Sequence, residues 1–188
     1  MAAVLDPFIP VPDVRERHTL AVHAPAELVA DVARHFDLAS LPLVRVAFWL
    51  RGKLMGARGL AARRPMDVGS LLRMGWGLLA EEPGRFFAAG AVCQPWRGDV
   101  VFTPEEASRF ASYAEPGFVK IAWTFETEPL GPTLTSLASE TRAVATDAAA
   151  RIDFLRYWRW ARFGIVGIRR LLLPAIRRSA EQRWSAGR

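Results

Sequence analysis

Residues 118–146 read FVKIAWTFETEPLGPTLTSLASETRAVAT, and they decide the fold. Phe118 to Glu128 is dense in β-branched and aromatic residues, as strands are. Pro129-Leu130-Gly131-Pro132 is turn chemistry, and Thr133 to Thr146 returns as a second strand. Asp147 follows as a helix N-cap, and about 35 residues of helix-like sequence rich in Arg and Trp run on from it. A hairpin feeding a long C-terminal helix predicts a curved sheet closed over by that helix, with a cavity between them.

The terminal helix has a readable face. Phe154, Trp158, Ala161, Ile165, Ile168, Leu172 and Ile176 recur at spacings of four and three, one continuous apolar stripe. Arg156, Arg159, Arg170 and Arg177 fall on the opposite side. Trp160 and Leu171 lie on a flank, where a partner subunit and a membrane surface are both open readings. Gly164 and Gly167 weaken the middle, and Pro174 predicts a kink.

A four-residue loop at 129–132 would set Trp123 opposite Ala138, Ile121 opposite Glu140 and Val119 opposite Arg142. Glu140 and Arg142 then share a face with Trp123 and Phe125, the side expected to look into the cavity. An apolar wall with few polar anchors is what a small-molecule site needs. The plainer alternative is a structural ion pair, and a one-residue slip would carry both groups to the other face. In Gly90-Ala-Val-Cys-Gln-Pro-Trp96, the residues Gly90, Val92, Gln94 and Trp96 share one face. Gln94 is a candidate to hydrogen-bond a ligand carbonyl or to satisfy backbone at a strand end. Cys93 reads as a small buried hydrophobe.

Upstream, Pro7, Pro10 and Pro12 predict an extended lead-in over residues 1–14. Arg17–Ala24 alternates as a strand, and Pro25 opens an amphipathic helix from Ala26 to Phe36. A second helix is expected from about Ser40 to Lys53, then a basic connector over 56–70. Gly77–Glu82 and Arg85–Trp96 read as strands around the turn Pro83-Gly84. The stretch 97–116 reads as polar loop, with a helical turn after Thr103-Pro104 capped by Thr103.

At 188 residues the chain fits one domain, expected over 15–185, large enough to need no staple. A lone Cys93 forms no internal disulfide, and no secretory signal or membrane-length apolar run is visible, so a cytoplasmic protein is expected. One cysteine and His18, His23 and His35 in isolation give no metal-ligand spacing. No phosphate loop, nucleophile elbow or zinc signature appears, so no metal or cofactor is expected. The net charge of +6 is concentrated from Arg151 onward, where ten Arg face Asp153 and Glu181. Arg outnumbers Lys 23 to 2, which with the high Ala content fits a GC-rich genome. The basicity therefore reads as one solvated helix back, and nucleic acid is not an expected partner.

Together these features resemble the START-like (SRPBCC) superfamily of polyketide cyclases and lipid-transfer domains. The resemblance is carried by Ala24-Pro25-Ala26-Glu27-Leu28-Val29, Gly117-Phe118-Val119-Lys120-Ile121-Ala122-Trp123-Thr124-Phe125, Ser139-Glu140-Thr141-Arg142 and the long helix from Phe154. It implies an α+β helix-grip fold: a curved antiparallel sheet wrapped round a long C-terminal helix, with two short helices after the first strand. It also implies a central cavity for a hydrophobic small molecule, lipid or polyketide-like. The expected ligand-binding set is Gln94, Trp96, Trp123, Phe125, Glu140, Arg142 and Trp158. Two alternatives stand beside simple binding. One is a cyclase or dehydratase with Glu140 as acid or base; the other is a membrane-peripheral adaptor working through the Arg/Trp-rich helix.

Overall fold

The computed structural model describes residues 3–46 and 66–187. Strand β1 (Val14–Val22) leads into helix α1 (Ala26–His35), a 3-10 turn (Leu38–Ser40) and a helix beginning at Pro42. The rest of that second helix, and the connector up to residue 65, lie outside the described residues. Helix α2 (Val68–Arg73), capped by the Asp67 carboxylate, begins within the stretch 56–70 read from sequence as connector. Strands β2 (Gly77–Glu82) and β3 (Phe86–Cys93) follow, then helix α3 (Ala107–Ser112), the hairpin β4 (Val119–Gly131) and β5 (Leu134–Ala145), and helix α4 (Ala148–Ala186). The strands form one antiparallel sheet in the order β1-β5-β4-β3-β2.

Two expectations about local structure fail. Residues 3–9 are not extended: the Phe8 and Ile9 amides donate to the Leu5 carbonyl, making a turn that buries Leu5, Phe8 and Ile9. The three prolines sit where these amide bonds are not needed. Thr103 does not cap the helix; it pairs as a β-bridge with Val92, and α3 starts at Ala107, its N-cap Glu106 making no side-chain cap hydrogen bond.

Both faces of the sheet are covered. The outer face carries Ala88, Val92 and Ala122 under the N-terminal turn and Phe110 of α3. Gly90 makes that seat possible, since a Cβ there would stand 2.6 Å from Leu79 Cδ1 and 2.9 Å from the Phe110 ring. The inner face packs Phe87, Ala89, Phe125 and Leu137 against Val29, Val32 and Ala33 of α1 and Leu172, Leu173 and Ile176 of α4.

Helix α4 has 39 residues, about 58 Å at 1.5 Å per residue, and runs through Pro174. Asp147 caps it, accepting from the Ala149 and Ala150 amides and from the Gly117 amide. Near its far end, Glu181 accepts from the His23 amide and Arg183 pairs with Asp31 at 2.9 Å. Its buried residues fall into two groups, Ala150 and Phe154 at one end and Leu172, Leu173, Ile176 and Ala180 towards the other. No residue between 155 and 171 is buried. Over that span the helix faces a hollow, with Ile168 also packing beside Ala39, Val44 and Met66.

Candidate functional site

The hollow is a cavity of about 280 Å³ between the inner face of the sheet and the middle of α4. Ile121, Trp123 and Phe125 of β4 and Ser139, Thr141 and Ala143 of β5 form its floor; Phe154, Trp158, Ile165, Ile168 and Leu172 of α4 form its roof. The roof residues are the apolar stripe read from sequence. Trp76 and Phe102 close one side: their rings stack at 5.2 Å, and Trp76 meets Trp123 edge-on at 6.2 Å. Trp123 continues to Phe125 and Phe87, each at 5.5 Å. Such an aromatic chain supplies large apolar area with few rotatable bonds. Sequence reading missed Trp76 and Phe102 because both sit outside periodic segments, one just before β2 and one in the stretch read as polar loop.

One charged side chain joins this wall. Arg169 lines the cavity, donating to the Thr141 hydroxyl and, at 3.3 Å, to the Glu16 carbonyl. Burial pushes its guanidinium down to about 10, against weaker upward pulls from Glu16 and Glu140. Its surface is only half-buried because part of it faces the cavity. The signal for Arg169 was available: it lies four residues after Ile165 and three before Leu172, within the apolar stripe. It was obscured by the other arginines of the helix.

The hairpin register differs from the sequence expectation, and with it the placement of Glu140 and Arg142. Strand β4 runs on to Gly131, which pairs with Leu134, so the loop is shorter than four residues. Trp123 therefore pairs with Thr141, Thr124 with Glu140 and Ala122 with Arg142. The parity change puts Glu140 and Arg142 on the outer face, away from Trp123 and Phe125. There Glu140, 1% exposed, accepts from Arg142 Nε at 2.6 Å, Arg17 Nη1 at 2.8 Å and Arg15 Nε at 2.9 Å. Arg142 also reaches Asp6 and the Ile9 carbonyl, both at 2.8 Å. Burial pushes the Glu140 carboxyl up, but the hydrogen bonds from Arg142, Arg17 and Arg15 outweigh it and hold the group below its ordinary value. A carboxylate held ionised by three guanidinium groups is no proton donor, and this cluster anchors the N-terminal turn to the sheet.

Of the remaining sequence candidates, Trp123, Phe125 and Trp158 line the cavity. Trp96 packs beside it with Phe154 and Trp158. The Gln94 amide donates to the Gly117 carbonyl at 2.8 Å, satisfying backbone at a strand end. His18 lies on the inner face opposite Ser139, its Nε2 buried without a hydrogen-bond partner and 4.0 Å from the Glu16 carboxylate. Among the described residues no three His, Cys, Asp or Glu side chains group as a metal ion would need, and no helix is long and apolar enough to cross a membrane. A larger groove of about 430 Å³ lies between α1 and the β2–β3 turn. Its rim charges already pair with one another, Arg34 with Glu81 and Arg85 with Glu82, so the apolar cavity is the better site.

No family model matches the chain, and no curated protein does. Among solved structures it is similar to a conserved protein from Geobacillus kaustophilus, 12% identical over 92% of this chain and 96% of that one, with a TM-score of 0.39. A hypothetical protein from Helicobacter pylori is 9% identical over 96% and 97%, with a TM-score of 0.48. The ZhuI aromatase/cyclase from a Streptomyces species is 12% identical over 90% and 94%, with a TM-score of 0.31. The fold assignment rests on the chain's own geometry: a five-stranded antiparallel sheet, short helices after β1 and a 39-residue terminal helix across the inner face form the helix-grip arrangement that the START-like resemblance implies.

Proposed function

We propose that this protein binds a hydrophobic or aromatic small molecule in the cavity between the sheet and α4. The observation that carries the reading is the interrupted packing of α4: buried at both ends, yet roofing an aromatic-lined space of about 280 Å³ in the middle. That volume is near the lower end of ligand pockets, which run from about 300 to 1,000 Å³. It favours a one- or two-ring aromatic or a medium-length chain over a two-chain lipid. Trp76, Trp123 and Trp158 would report occupancy directly. Titration with naphthalene derivatives and medium-chain alcohols and acids should shift or quench tryptophan emission, and a flat response to the whole panel removes the proposal. The cyclase form of this reading has lost its acid, because Glu140 lies on the far face of the sheet.

A second reading has its own observation. Ile152, Trp160 and Phe163 are each more than 60% exposed and stand among Arg156, Arg159 and Arg162 on the outer side of α4. Aromatic and basic residues mixed on one exposed helix face suit an anionic membrane surface, from which an apolar ligand would be collected. Co-sedimentation with vesicles containing phosphatidylserine should exceed that with phosphatidylcholine alone and fall with salt. Equal sedimentation with both vesicle types would count against it.

A further inference from the structure

We infer that the ligand of this cavity carries a single carboxylate and that Arg169 binds it, an inference that rests on the cavity being the binding site. A guanidinium offers five N–H donors in a planar fork. The contacts Arg169 makes are with neutral oxygens, the Thr141 hydroxyl and the Glu16 carbonyl. Among the described residues no carboxylate comes within ion-pair distance of it. The Glu140 carboxylate is engaged by Arg15, Arg17 and Arg142, and that of Glu16 stands 4.0 Å from His18 Nε2. Nor does the sequence between residues 47 and 65 contain an Asp or Glu.

Burying a cation without an ion-paired counter-charge is costly, and the more deeply buried Arg142, 2% exposed, is paired with both Glu140 and Asp6. Two cations penalised by burial lack such a partner among the described residues: Lys120, which donates to the Ala111 carbonyl, and Arg169, whose surface opens into the apolar cavity. A carboxylate arriving on an apolar body would complete the fork with two parallel hydrogen bonds while its body covered Trp76, Trp123 and Trp158. The charge count selects a monoanion. Glu16 and Glu140 already attract Arg169 through space, so a phosphate dianion would bring a second negative charge that nothing at the wall neutralises.

The test compares matched probes by calorimetry: naphthoate with naphthamide, decanoate with decanol, and naphthyl phosphate as the dianion. The wild-type protein should bind each acid about tenfold or more tightly than its neutral partner, and naphthoate more tightly than naphthyl phosphate. Arg169→Gln should abolish the preference and leave naphthamide binding in place, while Arg169→Lys should restore part of it. Equal binding of acid and amide by the wild type, or a preference that survives Arg169→Gln, overturns the inference while leaving the cavity reading intact. Absence of binding by every probe overturns both. The wild-type ratio decides the question even if the variants fail to fold.

Discussion

Replacing Glu140 by Gln separates two incompatible jobs for this residue, cavity acid or outer-face anchor. In the structure Glu140 is 1% exposed and its partner Arg142 is 2% exposed. Loss of the charge strands Arg142 most, because the side chains of Arg15 and Arg17 are 52% and 37% exposed and can rehydrate. Breaking a buried ion pair by removing one partner costs about 3–5 kcal/mol. Arg142 keeps Asp6 and the Ile9 carbonyl, so the lower end applies, about 3 kcal/mol. With a urea slope of about 2 kcal/mol/M, the unfolding midpoint should fall by about 1.5 M. The acid limb should change as well. The Glu140 carboxyl is held below its ordinary value in the fold, so its contribution is full above the ordinary carboxylate range and disappears as pH falls through the lowered value. Glu140→Gln should therefore lose less stability on acidification than the wild type, with Asp6, held low by Arg142, supplying the remainder. Removing both partners in Glu140→Gln/Arg142→Met should cost less than the two single changes added together. Naphthoate affinity should be unchanged throughout. A variant that unfolds at the wild-type urea concentration but binds naphthoate weakly would place Glu140 at the cavity and refute the register argument.

Three further changes test the packing. Ala143→Leu projects a larger side chain from the cavity floor, so naphthoate affinity, read from tryptophan quenching, should fall at least tenfold, and because Ala143 is buried the change should also cost about 1–3 kcal/mol in urea denaturation. Gly90→Ala forces a Cβ to within 2.6 Å of Leu79 and 2.9 Å of Phe110, and overpacking of this kind costs about 1–3 kcal/mol in urea denaturation. Gly164→Ala meets nothing within 4 Å and should add about 0.5–1 kcal/mol through helix propensity, read from the same denaturation curves.

What the sequence made legible followed from periodicity. The stripe Phe154, Trp158, Ile165, Ile168 and Leu172 projects a single surface whatever it packs against, and it roofs the cavity as read. The hairpin was equally plain in existence but not in register. The hidden quantity was the loop length, because Pro129 to Gly131 continues the strand through an irregularity instead of turning. Since strand side chains alternate, that one unknown decided which face received Glu140 and Arg142. The N-terminal turn was illegible for a different reason. Leu5, Phe8 and Ile9 form too short a pattern to show a period, and they are ordered by the sheet they cover. Arg169 was visible in spacing, but its environment depends on which residues meet it from β1 and β5, and that is tertiary information.

The moorings of α4 limit what the protein can admit. Asp147 and Gly117 fasten one end and the buried Leu172, Leu173 and Ile176 hold the other, so swinging the helix aside would break both. A guest larger than the existing space of about 280 Å³ would need the stretch around Gly164 and Gly167 to bow, since glycine constrains the helix backbone least. A beam held at both ends yields little. On the proposed function, such a chamber would discriminate by girth, turning away bulky molecules before any polar contact is made.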